Sequence, residues 1–210
     1  MNVYLDTVSL LTQLIEIPSY SNEESSTAEV IEEFFTARDI EVHKSGNNIW
    51  AFAEAFDKNK PTIWLNSHHD TVKPNAGYTK DPFQAIKEDG KIYGLGSNDA
   101  GGPLVCLIAA FTYFHEQNLP FNLIMIASAE EEISGKNGIA SVIDQLPPCD
   151  LAIVGEPTLM DMAVAEKGLM VIDAKVFGKA GHAAREEGEN AIYKALDDLQ
   201  KIKDFEFRKV

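Results

Sequence analysis

Apolar residues along this chain alternate between a helical period and a strand period. They recur every three or four positions over residues 5–15, until Pro18 ends the pattern, and again over residues 28–35. Ser21 and Glu24 precede the second segment at the spacing of a capping box. The pattern therefore predicts two amphipathic helices at the start of the chain.

After the two helices the period of the apolar residues changes to two, and residues 48–56 alternate like a strand. Residues 104–114 return to the helical period and predict a third helix. Asp89-Gly90 stands between two short apolar stretches, which is a hairpin signal. Continuous apolar runs, typical of strands buried inside a parallel sheet, occur at residues 61–67, 121–127 and 151–154. Helices alternating with such strands predict an α/β fold with a central, mostly parallel sheet.

The pattern changes near Met160. Residues 162–166 and 169–177 predict two strands, and residues 191–202 have the spacing of a helix. Two strands and one helix are too few to enclose a core. We therefore expect one domain over residues 1–160 and the beginning of a second, apparently truncated domain over residues 161–210.

The composition narrows the range of partners. Acidic residues outnumber basic residues by 33 to 18, for a formal net charge of −15. This charge disfavours nucleic acids and anionic membranes, and it fits carboxylates gathered around cations. Two cysteines make no disulfide framework, no apolar run reaches spanning length, and the N-terminus lacks the basic start of a signal peptide. A cytoplasmic location is expected.

Side chains that can bind metals follow the predicted strands. His68 and Asp70 come after the first apolar run, the glutamates at 130–132 after the second, and Glu156 after the third. Carboxyl ends of parallel strands meet at one edge of a sheet, so we expect these residues to converge. Taken singly, a His-x-Asp triplet is more often a turn or a cap, and an acidic run is often a solvated loop. Their convergence favours a site.

The loop over residues 94–102 is the densest in glycine. It is similar to a dinucleotide fingerprint, but Asp99 stands where the third glycine belongs, and its carboxylate would repel a pyrophosphate. The loop also lacks the lysine of a phosphate-binding loop. Asp99 therefore joins the candidate metal ligands, and an aspartate placed between two metals can bridge them.

One imidazole among several carboxylates suits Zn²⁺, Mn²⁺ or Co²⁺ better than Mg²⁺ alone. Asp70 can orient the His68 ring from behind. Because adjacent loop residues point different ways, one glutamate of Glu131 and Glu132 can bind a metal while the other acts as general base. Phosphoryl transfer with Mg²⁺ is an alternative, but no nearby Lys or Arg cluster offers a phosphate cradle.

Four motifs, in order and spacing, resemble those of the zinc peptidase and deacylase family that includes acetylornithine deacetylase, succinyl-diaminopimelate desuccinylase, carboxypeptidase G and aminoacylase-1. They are the His-x-Asp motif with its trailing Val and Pro (68–74), the loop of the bridging aspartate (94–102), the glutamate pair (131–132) and the Gly-Glu-Pro-Thr motif (155–158). The resemblance covers nearly the whole chain. It implies a zinc-exopeptidase-like catalytic domain.

The resemblance also implies a ligand set for two Zn²⁺ ions, or for Co²⁺ or Mn²⁺ in their place. His68 and Glu156 would hold one metal and Glu132 the second, with Asp99 shared between them. Asp70 would support the His68 ring and so belong to the catalytic machinery. These assignments are expectations that rest on the matched motifs.

Further roles follow from the same resemblance. Glu131 would be the general base, and residues 161–210 would begin a lid or dimerisation domain whose His182 stabilises the oxyanion in the partner subunit of a homodimer. The peptide bond Asp99–Ala100 is expected to be cis. There are two departures from the family. Gly101 stands where a lysine is usual, which removes no ligand, and the last metal histidine has no counterpart here, so a fragment is expected.

The expected function is cleavage of an amide bond in a small N-acyl amino acid by metal-activated water. Overall resemblance, including residues 167–170 and 178–183, slightly favours a deacylase of the acetylornithine deacetylase kind, an enzyme of arginine biosynthesis. The alternatives are a dipeptidase or carboxypeptidase of the same family, a succinyl-diaminopimelate desuccinylase, or a non-catalytic fragment.

Overall fold

The computed structural model describes residues 2–165, 167–168, 170–182, 184–185 and 187–206. The chain divides into two compact units, Met1–Met162 and Ala163–Val210. Among the described residues, no helix combines the length and the apolar character needed to cross a bilayer.

A five-stranded sheet lies at the centre of the first unit. The strands of this unit, in chain order, are β1 (His43–Ser45), β2 (Asn48–Phe52), β3 (Thr62–His68), β4 (Ile86–Glu88), β5 (Lys91–Tyr93), β6 (Asn122–Ser128) and β7 (Leu151–Val154). The sheet order is β1-β2-β6-β3-β7. β6, β3 and β7 are parallel, as the apolar runs predict, and β1 and β2 add antiparallel strands at one side.

Each face of the sheet packs into a separate core. In β6, Leu123 and Met125 belong to the larger core, which includes buried residues of three helices: α1 (Val3–Glu16), α2 (Ser25–Thr36) and α3 (Gly101–Phe114). The alternate residues Ile124 and Ile126 point to the other face, where they pack with Trp50, Trp64, Val142 and Leu146. This alternation buries both faces of β6, which explains its continuous apolar sequence.

The predicted hairpin is confirmed. Glu88 of β4 pairs with Lys91 of β5, which leaves Asp89-Gly90 as a two-residue turn. Both turn residues have positive φ angles, 51° and 73°, as a type I′ turn requires.

β7 is a strand, as predicted, but its side chains are exposed rather than buried. Leu151, Ile153 and Val154 are 54%, 47% and 56% exposed. The reason is its place at the end of the sheet order, where it has β3 on one side and no described strand on the other.

The second unit corrects one prediction. α4 (Ala191–Lys203) forms as expected, with the Asn190 side chain accepting from two backbone N–H groups at its start. The described residues of 162–177 form no strand, whereas Glu166 and Leu169 lie outside the described residues. A strand needs a neighbour to pair with, and the apolar side chains here, such as Val171 at 77% exposed, have no packed face.

Candidate metal centre

Three parallel strands deliver the candidate ligands to one edge of the sheet. His68, the last residue of β3, is paired with Ser128, the last residue of β6. After β7 ends, the N–H of Gly155 donates to the carbonyl of Asn66 (2.7 Å), and Glu156 follows directly. The loops after these strands therefore leave from the same edge, as predicted.

His68 is buried, and its two ring nitrogens have different partners. Nδ1 lies 3.0 Å from the carbonyl oxygen of Asp70, which can only accept, so Nδ1 carries the proton of the neutral ring. Nε2 then has the free lone pair. It faces carboxylate oxygens of Asp99 at 3.2 Å, Glu131 at 3.7 Å and Glu156 at 3.8 Å. A ring held from behind with its free nitrogen toward carboxylates is the arrangement of a metal-binding histidine.

The electrostatics of the cluster also suit a cation. Burial opposes a charge on His68, but the hydrogen bond and charge of Asp70, with the charges of Glu156 and Glu131, outweigh it and raise the pKa from 6.5 to about 9. Burial and the neighbouring carboxylates raise the pKa of Glu132 and of Glu156. The cluster therefore holds negative charge that a divalent cation would neutralise.

All four predicted metal ligands lie in this cluster. The ligand atoms of His68, Glu131 and Glu156 lie within 4.8 Å of one another, and so do those of His68, Asp99 and Glu132. These groups differ from the expected sets in two ways: Glu131 lies beside His68 and Glu156, and His68 lies beside Glu132. One imidazole with several carboxylates fits Zn²⁺, Mn²⁺ or Co²⁺.

Asp70 lies behind His68 and forms hydrogen bonds with the acidic loop, residues 129–132. Its carboxylate accepts hydrogen bonds from the Ser21 hydroxyl (2.7 Å) and from the backbone N–H groups of Glu131 (3.0 Å) and Glu132 (3.2 Å). Burial alone would raise its pKa. The hydrogen bond with His68, followed by those from Ser21 and the two amides, lowers it from 3.8 to about 2.

The three consecutive glutamates have different environments. Glu130 has a φ of +52° and is only 5% exposed. Its carboxylate accepts hydrogen bonds from the backbone N–H (3.1 Å) and the side-chain amide (2.7 Å) of Asn137. It is therefore turned away from the cluster, whereas Glu131 and Glu132 contribute oxygens to it.

The glycine-rich loop presents Asp99 at the start of α3. The peptide bond Asp99–Ala100 is cis, which confirms the expectation. The loop folds back on itself, since the N–H of Gly101 donates to the carbonyl of Gly96 (2.8 Å). A Cβ on Gly101 would lie 2.6 Å from that carbonyl oxygen and 2.9 Å from Leu11, so this backbone packing leaves no room for a side chain.

A cavity of about 230 Å³ adjoins the cluster on the side of Asp99 and Glu132. Its other walls are Thr71, Val72, Tyr78 and residues 94–98. The hydroxyl of Thr71 is buried without a hydrogen-bond partner among the described residues. The cavity can therefore receive a small molecule next to the candidate ligands.

His182 lies in the second unit, where its Nδ1 accepts the backbone N–H of Ala184 (3.1 Å). The candidate metal cluster lies entirely in the first unit. The role expected for His182 therefore stays a prediction.

The sequence pattern misassigned two residues that support the site. Ser21 and Glu24 do not form the predicted capping box, because Ser21 donates to Asp70 and Glu24 accepts from Asn22 and Glu130. α2 begins without a side-chain cap. The spacing of these two residues is the signal that could have found them, but it has the same form as an ordinary helix start.

Fold and cluster together define the class: an α/β protein with a carboxylate-rich candidate metal centre. The sequence profile of peptidase family M20/M25/M40 matches residues 64–205, and the chain belongs to that family. This confirms the resemblance that the four motifs indicate.

Two relatives illustrate the match. The chain is 29% identical over 207 residues to a probable succinyl-diaminopimelate desuccinylase of Staphylococcus aureus, covering 94% of this chain and 50% of the relative. It is 28% identical over 221 residues to an acetylornithine deacetylase of Proteus mirabilis, covering 97% and 57%. The chain thus spans about half the length of these relatives.

A solved structure agrees in fold. A dinuclear metal-binding peptidase of the M20 family from Bacillus subtilis superimposes with a TM-score of 0.56, over 72% of this chain and 42% of that one, at 17% identity. The α/β fold with its central sheet is thereby confirmed.

Proposed function

We propose that the full-length protein is a metal-dependent hydrolase that removes the acyl group from a small N-acyl amino acid. The orientation of His68 carries this proposal. Asp70 holds Nδ1, and the free Nε2 faces the oxygens of Asp99, Glu131 and Glu156. Membership of a peptidase family supports amide hydrolysis, and relatives named as a deacetylase and a desuccinylase support an acyl group as the part removed.

Two Zn²⁺ ions, or Co²⁺ or Mn²⁺, are the proposed cofactors. We assign His68 and Glu156 to one ion and Glu132 to the other, with Asp99 shared. Ions bound here would polarise the amide carbonyl and lower the pKa of a water molecule.

Glu131 is the proposed general base. Its carboxylate lies beside His68, and its backbone N–H is held by the buried carboxylate of Asp70. The side chain is 53% exposed, so it can reach a water molecule and accept its proton. Glu130 is a poor candidate for the same role, since Asn137 occupies its carboxylate.

The adjoining cavity is the proposed place for part of the substrate. Val72 and Tyr78 offer apolar surface, and Asp99 and Glu132 bound the side toward the cluster. Among the described residues, those that line the cavity include no lysine and no arginine. This disfavours a phosphoester, whose charge would need cationic partners.

We also propose that the second unit begins a lid or dimerisation domain and that the protein works as a homodimer. His182 would then stabilise the oxyanion in the site of the partner subunit. Support comes from the match of the family profile, which extends through this unit to residue 205.

The proposal is tested by a hydrolysis screen of the full-length protein, supplied with Zn²⁺ or Co²⁺, against N-acetyl amino acids, N-succinyl-diaminopimelate, dipeptides and a phosphoester. We expect the highest kcat/KM on an N-acetyl amino acid, loss of activity on chelation, and recovery when metal is returned.

Two histidine variants sharpen the screen. His68→Ala should abolish turnover, whereas His115→Ala, which removes a ring packed against Phe111 at the end of α3, should leave kcat unchanged. Activity confined to dipeptides would replace the deacylase by a dipeptidase. Metal-loaded protein that cleaves no amide, or cleaves the phosphoester alone, would overturn the proposal.

A further inference from the structure

Four successive backbone N–H groups of the acidic loop donate to side chains rather than to the backbone. The N–H of Ala129 donates to Asn48 Oδ1 (3.0 Å) and that of Glu130 to Glu24 Oε1 (3.2 Å). The next two N–H groups donate to the carboxylate of Asp70, as described above. Asp70 lies two positions after the candidate ligand His68, whereas Glu24 comes from the turn before α2.

We propose that Glu24 is a positioning residue of the hydrolase: its buried carboxylate fixes the acidic loop so that Glu131 is held where it can accept a proton. This inference rests on the proposed function for its catalytic consequence. Its structural content, the bracing of residues 129–132, stands on the contacts alone.

Glu24 is fully buried, at 0% exposed, and both of its carboxylate oxygens are occupied. Oε1 accepts from the N–H of Asn22 (2.8 Å) as well as from Glu130, and Oε2 accepts from Nδ2 of Asn47 (2.9 Å). A carboxylate is costly to bury unless it is fully hydrogen-bonded. A neutral or apolar residue would serve better if this position only filled space.

The same network reaches the residue next to His68. The carbonyl of Asn47 lies 2.9 Å from Nε2 of His69, and because a carbonyl only accepts, Nε2 carries the proton. Nδ1 of His69 lies 2.9 Å from the hydroxyl of Thr27, which also lies 2.9 Å from the carbonyl oxygen of Glu24. Glu24, Asn47 and Thr27 thus hold the strand end as well as the acidic loop.

Ser21 and Glu24 divide the bracing between them. Ser21 donates to Asp70, which holds the N–H groups of Glu131 and Glu132, and Glu24 holds the N–H of Glu130. The turn before α2 therefore fixes the acidic loop through two carboxylates, that of Glu24 directly and that of Asp70 through Ser21. Removing Glu24 leaves the Asp70 contacts in place but frees the loop on the side where Glu130 changes the direction of the chain.

The test compares Glu24→Ala with the conservative Glu24→Gln in the full-length, metal-loaded protein. Glu24→Ala removes both acceptors, and we expect kcat to fall by about 10²-fold, the size of effect that a small misplacement of a catalytic group produces. KM and bound metal per chain should stay unchanged. Glu24→Gln keeps Oε1 for the Glu130 amide, and Asn47 can turn its amide to accept from the new NH₂, so kcat should return to within about threefold of wild type.

Asp150→Ala is the matched control. Asp150 Oδ2 also accepts a backbone N–H, that of Thr62 (2.8 Å), but at the opposite end of β3 from the cluster. It should lower stability while leaving kcat unchanged. An unchanged kcat in Glu24→Ala, or a loss that comes with equal loss of metal or with an equal loss in Asp150→Ala, would overturn the proposal.

Amide hydrogen exchange on the metal-free protein separates this inference from the proposed function. Residues 129–132 should exchange faster in Glu24→Ala than in wild type, and at the wild-type rate in Glu24→Gln. Unchanged exchange in Glu24→Ala would overturn the bracing role whatever the enzyme does. If Glu24→Ala does not fold, Glu24→Asp, which keeps the charge but shortens the reach, should show the same faster exchange and about a tenfold lower kcat, and wild-type values would contradict the proposal.

Discussion

His68 and Asp70 show how two side chains two positions apart set the chemistry of the whole cluster. Each favours the charged form of the other, so the pKa of His68 rises to about 9 and that of Asp70 falls to about 2. The same contact points Nε2 at the carboxylates, and its lone pair becomes available to a metal when the ring loses its second proton. One buried pair therefore fixes both the direction and the protonation of the His68 ring, the proposed central ligand.

The raised pKa predicts that metal binding releases a proton from His68. Near neutral pH the ring of the metal-free protein is protonated, and a cation must displace that proton. The apparent affinity for Co²⁺ should therefore rise about tenfold per pH unit and level off above about pH 9. Competition titrations over this range measure the slope. Asp70→Asn should flatten it, and a pH-independent affinity in the wild type would contradict the assignment.

The same pair predicts a pH window for the stability of the metal-free protein. The contribution of Asp70, about 2 kcal/mol, is complete above its ordinary pKa of 3.8 and is lost as the pH falls through about 2. That of His68 is complete below pH 6.5 and is lost as the pH rises through about 9. Urea unfolding of wild type and Asp70→Asn should differ most between these limits. A difference that does not vary with pH would contradict the pairing.

At the scale of secondary structure, the sequence predicts elements well where local pattern and tertiary packing agree. The apolar run of β6 is buried at all seven positions and that of β3 at five of seven. The Asp89-Gly90 turn has the positive φ angles that these residues tolerate. The residues that follow β3, β6 and β7 lie at one edge of the sheet because these strands are parallel and their carboxyl ends are side by side.

The predictions that failed depend on contacts that local pattern does not contain. Ser21 and Glu24 have capping-box spacing, but their side chains bond to distant residues instead of to the helix start. Ser21 donates to Asp70, and Glu24 accepts the N–H of Glu130. Three adjacent glutamates look alike in sequence, but in the structure Glu130 is buried, has a positive φ and accepts hydrogen bonds from Asn137. Residues 162–177 alternate like strands, but the described part of the second unit gives them no neighbour to pair with.

The glycine-rich loop carries a prediction of its own. Gly101→Ala would place a Cβ against the carbonyl of Gly96 and against Leu11, and the loop must shift. We expect a loss of about 1–3 kcal/mol in the free energy of unfolding, as overpacking produces, and weaker metal binding because Asp99 moves with the loop. Gly168→Ala, whose Cβ would meet nothing within 4 Å, is the control. Unchanged stability and metal affinity in Gly101→Ala would show that the loop tolerates the side chain.

At the scale of the whole molecule, the first unit contains the candidate cluster and the second contains His182. If His182 acts in the partner subunit, two inactive full-length variants can complement each other. Mixing equal amounts of His182→Ala and Glu131→Ala should restore up to about a quarter of the wild-type activity, since about half of the dimers are then heterodimers and each of these holds one intact site of two. Each variant alone is the control. No recovery despite proven subunit exchange would rule out the role in trans.

The central claim is that Glu131 and Glu132, adjacent in one loop, have different chemical roles at a two-metal site. The most direct measurement is the metal bound per full-length chain, together with turnover, in Glu131→Gln and Glu132→Gln. Glu131→Gln should keep the full metal content while turnover falls by about 10²–10⁴, because glutamine cannot accept the proton of water.

Glu132→Gln should lose one of two ions and recover part of its activity in excess metal, because the change removes a charged ligand. Side chains that were only solvated surface charge would leave turnover and metal content unchanged in both variants. Equal metal loss in the two variants, or normal turnover in Glu131→Gln, would contradict the account.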